Sequence, residues 1–169
     1  ALAGLTGRHA AVAYLESRDF TEPLFVFAIM VVAGSRPVLR LAGGAVRMLG
    51  AWMPLPRPAS TYLLTLTLVP LFGSVITEPA AMTVAALLLR DRFFVAGAPT
   101  RFLYGTLAVL FVNVSIGGTL SAFAAPPVLM VADTWGWDSA FMLRTFGWKA
   151  ALAVALNAVG AALVFRREL

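Results

Sequence analysis

Cysteine is absent from these 169 residues, which excludes a disulfide framework, a thiolate-held zinc or iron–sulfur centre and a cysteine nucleophile. Histidine occurs once, as His9, in a polar N-terminal stretch that offers it no partner for metal binding or catalysis. Charge is scarce too. Only 12% of the residues are Asp, Glu, Lys or Arg, about half the share in an ordinary soluble domain. Lys149 is the single lysine, and the arginines are spread over short connectors rather than gathered on one face, so the net charge of +5 does not describe a nucleic-acid-binding surface. No nucleophile triad, phosphate-binding loop or pair of carboxylates can be assembled, which argues against an enzyme. What the chain does have is apolar: 60% of it is hydrophobic and the mean hydropathy is +0.87. These values point to an all-α polytopic membrane protein, with the lipid bilayer as its main partner.

Residues 21–39 form the first candidate span, 19 residues or about 28 Å of helix, with Arg36-Pro37 at its exit. A connector follows in which Arg40, Arg47 and Arg57 are spaced along a moderately apolar stretch, predicting an interfacial amphipathic helix ahead of Pro54, Pro56 and Pro58. Residues 62–89 are too long for one upright span and are interrupted by Pro70, Gly73, Ser74, Thr77, Glu78 and Pro79. Residues 102–132 repeat the pattern, with apolar flanks around the polar run Asn113-Val114-Ser115-Ile116-Gly117-Gly118-Thr119. Pro126-Pro127 then bends the helix or starts it anew. Residues 148–165 give an ordinary last span, closed by Arg166-Arg167, with Trp135, Trp137 and Trp148 suited to an interfacial belt.

Basic residues discriminate between topologies for residues 62–89. If that segment crossed once, the two faces would carry seven and six, with no bias. If it is a re-entrant hairpin, Arg36, Arg40, Arg47, Arg57, Arg90, Arg92, Arg101, Arg166 and Arg167 share one face, nine against four. That face is then cytoplasmic. Residues 102–132 read as a single broken helix on the same scheme, although the count is the same if they too re-enter. Arg36 reads as a cytoplasmic anchor, and Asp133 and Asp138, beside the tryptophans, read as solvated.

Non-helical backbone at membrane depth is tolerated only where protein or a water-filled cavity satisfies its amides and carbonyls. Two such breaks facing each other define a polar pocket of the kind used by secondary transporters. The first break supplies Ser74, Thr77, Glu78 and Thr83. The second supplies Asn113, Ser115, Thr119 and the carbonyls around Gly117 and Gly118. These are hard oxygen donors, suited to Na⁺. Glu78 is the one carboxylate well inside an apolar segment. Burial favours its protonated form, whereas a bound cation or a helix N-terminus favours the carboxylate, and that opposition is what exchange of H⁺ for Na⁺ requires. The same residues also fit a plain helix start, because Thr21-Glu22-Pro23 repeats Thr77-Glu78-Pro79. Gly117-Gly118 equally fits a packing contact between helices.

The runs Gly73-Ser74-Val75-Ile76-Thr77-Glu78-Pro79-Ala80-Ala81-Met82-Thr83 and Asn113 through Pro127 resemble the putative Na⁺/H⁺ antiporter family of bacteria. More distantly they resemble the ion transporter superfamily of NhaD-type antiporters, arsenite permeases and divalent-anion/sodium symporters. The resemblance runs from about Arg18 to Phe165. It implies a repeat that pairs a re-entrant hairpin with an unwound helix. Ser74, Thr77 and Glu78 would match the hairpin tip, and Asn113, Gly117, Gly118 and Thr119 the unwound stretch, together holding Na⁺. Where superfamily hairpins often carry Asn beside the acid or Ser-Asn-Thr at the tip, this chain has Glu78-Pro79. It further implies a protein of the bacterial inner membrane, with no cofactor beyond the transported Na⁺ and H⁺. The chain, which opens Ala1-Leu2-Ala3-Gly4, is then the N-terminal half of a transporter whose second inverted repeat lies in the same full-length chain or in another protomer of a homodimer. Na⁺-coupled uptake of a small anion, held by half-helix N-termini near Thr77 and Leu120, and a non-transporting membrane subunit are the alternative functions.

Overall fold

Proline sets most of the element boundaries. Pro23, Pro37, Pro58, Pro79 and the pair Pro126-Pro127 each stand in the first turn of a helix, where a missing N–H breaks no intrahelical bond. The structure, a computed structural model, describes residues 8–17 and 20–169. Ala1-Leu2-Ala3-Gly4, Arg18 and the side chains of Thr21, Glu22 and Asp133, all named above, lie outside the described residues. The elements are α1 (Arg8–Glu16), α2 (Thr21–Ala33), α3 (Arg36–Gly50), α4 (Arg57–Ile76), α5 (Glu78–Arg92) and α6 (Thr100–Gly117), then a 3₁₀ turn (Gly118–Leu120), α7 (Pro126–Trp135), α8 (Ser139–Met142), a π turn (Leu143–Gly147) and α9 (Trp148–Val164).

Among the described residues every regular element is helical. Arg57–Ile76, Thr100–Leu120 and Ser139–Val164 are long and apolar enough to cross a bilayer, and the bent pair Pro23–Ala33 and Arg36–Gly50 makes a fourth only if the two helices form one span. Large apolar side chains such as Leu24, Phe27, Phe72, Phe111, Leu156 and Leu163 face outward, an arrangement that water would penalise and lipid accepts. The chain is a polytopic α-helical membrane protein.

Helix α4 lies at the centre, packed against α3, α5, α6 and α9. Helices α4 and α5 form an antiparallel hairpin with a one-residue break at Thr77. Its two ends lie together: the Tyr62 and Phe93 rings meet edge to face at 5.4 Å, and Arg57 and Arg92 line one small cavity. Phe102 and Phe165 complete an aromatic cluster at that end, where the Tyr62 hydroxyl and the Thr106 hydroxyl are 2.8 Å apart in the core.

Three expected boundaries shift. The helix expected over residues 21–39 stops at Ala33 and resumes at Arg36 after a 63° bend. A continuous helix would set the ring of Pro37 against the Ala33 carbonyl and leave that carbonyl without its donor, a penalty of about 3 kcal/mol. The last long helix begins not at residue 148 but at Ser139, running through the π turn into Trp148–Val164. The segment 102–132 is interrupted at residues 121–125 rather than 113–119: Asn113, Ser115 and Gly117 are helical, and Thr119 lies in the 3₁₀ turn. Internal glycine costs a helix only about 1 kcal/mol. Pro126 and Pro127, in contrast, have no N–H to offer the carbonyls of Ala122 and Phe123 one turn earlier, so the helix is lost there and Ala125, preceding proline, is extended.

Candidate functional site

The hairpin tip docks on the interruption of the α6–α7 segment. Helix α4 closes with the Thr77 N–H donating to the Gly73 carbonyl at 2.9 Å. Thr77 then adopts φ 89° and ψ 150°, the one positive φ outside glycine among the described residues. A β-branched side chain is strained in that region. The turn sends the next N–H, that of Glu78, away from its own helix to the Ala124 carbonyl at 3.2 Å. The Ser74 carbonyl, orphaned at the end of α4, accepts instead from the Ser121 hydroxyl at 2.8 Å. Both bonds join hairpin tip to interruption, as backbone buried in an apolar medium requires.

The carboxylate of Glu78 lies in the same place. Its Oε1 accepts from the Ser115 hydroxyl at 2.9 Å, and its Oε2 lies beside the 3₁₀ turn, at an ordinary contact distance of 3.6 Å from where a Cβ on Gly118 would stand. Glu78 is half-buried. The one ion pair among the described residues is Arg90–Asp91, so Glu78 has no cationic partner there. Thr77 makes no side-chain capping bond to α5. The carboxylate of Glu78 thus turns to Ser115 across 37 residues of sequence, whereas a helix cap would bond the first amides of its own helix.

The other expected donors are placed differently. Ser74 and Thr119 donate to the Leu71 and Ile116 carbonyls of their own turns, at 2.7 Å each, keeping oxygen lone pairs free to coordinate. Thr83 bonds the Pro79 carbonyl at 2.9 Å, with its methyl toward Gly34 at the α2–α3 bend. Gly117 is a packing residue, since any Cβ there would collide with the Pro70 carbonyl. Asn113 is fully buried, and its amide donates to the Leu66 carbonyl at 2.8 Å and the Val154 carbonyl at 3.2 Å while its Oδ1 accepts from Asn157 at 3.0 Å. Leu66 is the residue four before Pro70, so its carbonyl is the one that the proline deprives of a helical donor. Asn113 supplies the missing bond and ties α4, α6 and α9 together. Asn157 is not among the residues expected from the sequence, yet as the lone amide of a helix whose one charge, Lys149, stands in the first turn it carries a signal. Asp138, expected to be merely solvated, caps α8 by accepting from the Phe141 N–H at 2.6 Å.

Among the described residues no cluster of three His, Cys, Asp or Glu forms, and the donors around Glu78 are oxygens. Among the described residues, two interrupted segments meet around one carboxylate that has no ion pair, an arrangement that recurs in secondary transporters. The chain belongs to the Putative Na⁺/H⁺ antiporter family, whose family profile matches residues 1–169. That is a family of transporters rather than of enzymes. No curated protein and no solved structure matches the chain.

Proposed function

We propose that the chain is one repeat of a secondary transporter of the bacterial inner membrane that exchanges Na⁺ for H⁺, with Glu78 as the carboxylate that holds either ion. The observation that carries this reading is the contact of Glu78 with Ser115 at the meeting of two helix interruptions, with no cation among the described residues paired to it. The α4–α5 hairpin would re-enter on the cytoplasmic side, where Arg57 and Arg92 lie, and the α6–α7 segment would cross as a broken helix. A proton on Glu78 neutralises the carboxylate and leaves Ser115 bonded to a carboxylic acid. Na⁺ replaces the proton by drawing on the carboxylate, the Ser115 oxygen and hydroxyl or carbonyl oxygens from Ser74, Thr77, Gly118 and Thr119. Asn113 and Gly117 would act from the packing between helices. One carboxylate cannot serve both ions at once, and alternating occupancy on the two sides yields exchange. A second inverted repeat, in the same full-length chain or in a partner protomer, would complete the pathway.

Anion symport is disfavoured on chemical grounds. Helix α7 starts with Pro126-Pro127, which offer no N–H to an anion, and α5 starts with the Glu78 carboxylate itself. The test is the Na⁺-induced collapse of a respiration-driven pH gradient in everted vesicles from a host without its own antiporters, using the full-length protein. The parent should collapse the gradient, and Glu78→Gln at equal expression should not. Equal collapse by both would return Glu78 to a structural role, and collapse by neither would overturn exchange.

A further inference from the structure

Between Pro23 and Thr77 the sequence holds Arg36, Arg40, Arg47 and Arg57 but no Asp or Glu. Three of these arginines stand on α3 at spacings of four and seven residues, which places them on one helix face, and all three are exposed. Arg36 occupies the first position of α3, at the positive end of the helix dipole, with no acid in the first turn and no side-chain cap from Ser35. A cation there is unfavourable unless an external anion offsets it. Between Arg40 and Arg47 stand Gly43, buried against Leu88 of α5, and the half-buried Gly44. The Arg47 guanidinium folds back over the pair, its nitrogens 3.4 and 3.9 Å from where the two Cβ atoms would stand.

The opposite face of α3 is apolar and only partly covered. Leu41, Ala45 and Leu49, with Leu68 and Phe72 of α4, border a groove of about 360 Å³. Leu41 is 76% exposed, and Trp52, just past the helix, 84%. A helix is about 10 Å across, so a molecule with a phosphate on the arginine face and a flexible hydrocarbon chain can reach around to the groove.

We propose that α3 and α4 form a binding site for an anionic phospholipid, with its phosphate on Arg36, Arg40 and Arg47 and an acyl chain in the α3–α4 groove. The charge complementarity selects this occupant. A zwitterionic lipid does not offset three arginines that have no ion pair among the described residues, and a soluble anion has no use for the groove. The site rests only on the chain being a membrane protein and stands whether or not Glu78 exchanges ions.

The experiment is native mass spectrometry of the full-length protein in mild detergent, after equilibration with an equimolar mixture of phosphatidylglycerol and phosphatidylcholine. The parent should retain phosphatidylglycerol preferentially. The Arg40→Gln/Arg47→Gln variant should lose about 25-fold in that preference, near fivefold per arginine, while Arg40→Lys/Arg47→Lys and Arg166→Gln/Arg167→Gln keep it. Ala45→Phe, which fills the groove, should lower retention of the lipid with every arginine in place. If the glutamine variant does not fold, the parent at high salt provides the same readout, because screening should abolish the preference. Equal retention of both lipids, a preference that survives the glutamine substitutions or high salt, displacement by glycerol phosphate as effective as by the lipid, or a groove filled by a second copy of the chain would each overturn the proposal.

Discussion

Glu78 has a serine hydroxyl where a lone carboxylate in apolar surroundings would ordinarily have an arginine or lysine. Such a group is costly unless it is paired, coordinated or protonated, and a single hydrogen bond from Ser115 leaves room for an ion to complete its shell. A hydrogen bond to a charged group contributes about 1.5 to 3 kcal/mol. Ser115→Ala should therefore raise the Na⁺ concentration for half-maximal gradient collapse by roughly tenfold or more, with Ser115→Thr retaining most of the affinity. Titration of collapse against Na⁺ in everted vesicles reads this directly, and an unchanged midpoint would remove Ser115 from the ion site. The Thr-Glu-Pro tripeptide at Thr77 was legible as a break. What its carboxylate touches was not, because the partner stands 37 residues away.

Helices α4, α6 and α9 are held together where one of them is defective. Pro70 sits inside α4 and leaves the Leu66 carbonyl without its helical donor, and the Asn113 amide fills the gap. Leaving that buried carbonyl unsatisfied costs about 1 to 3 kcal/mol, so Asn113→Leu should destabilise the protein by about that much. Pro70→Ala restores a backbone N–H to Leu66. In that background the cost of Asn113→Leu should shrink by about 1 kcal/mol, a coupling that a double-mutant cycle of unfolding in detergent detects. Additive costs would mean that the proline and the asparagine act separately. In sequence Asn113 reads as an ion ligand, because it precedes two glycines in a polar run. The polarity was real, but a fully buried amide with both N–H groups and its oxygen engaged within the bundle serves as interhelical glue.

For the whole molecule, an ion that binds only the folded state must stabilise it by mass action, about 2.7 kcal/mol at a hundredfold excess over Kd. Na⁺ should therefore raise the unfolding temperature of the detergent-solubilised full-length protein. The increment should vanish in Glu78→Gln. Differential scanning fluorimetry across a Na⁺ series measures both. A Na⁺-independent unfolding temperature is the expectation for a non-transporting scaffold and would favour that role.

The sequence by itself determined the class of this protein. Sparse charge, long apolar runs and the absence of cysteine depend on composition alone, and the helix starts are set by prolines acting within one turn of chain. The hairpin was legible because its breakers are local, and the second interruption was misplaced because glycine and polar side chains looked like stronger breakers than the proline pair that follows them. The tertiary structure alone decided that Ser115 meets Glu78, that Ser121 and Ala124 receive the hairpin tip, and that Asn113 serves Leu66. Those bonds join residues 37 to 47 apart in sequence, and their pairing follows from which helix faces pack together in a medium where every freed amide and carbonyl needs a partner from the protein.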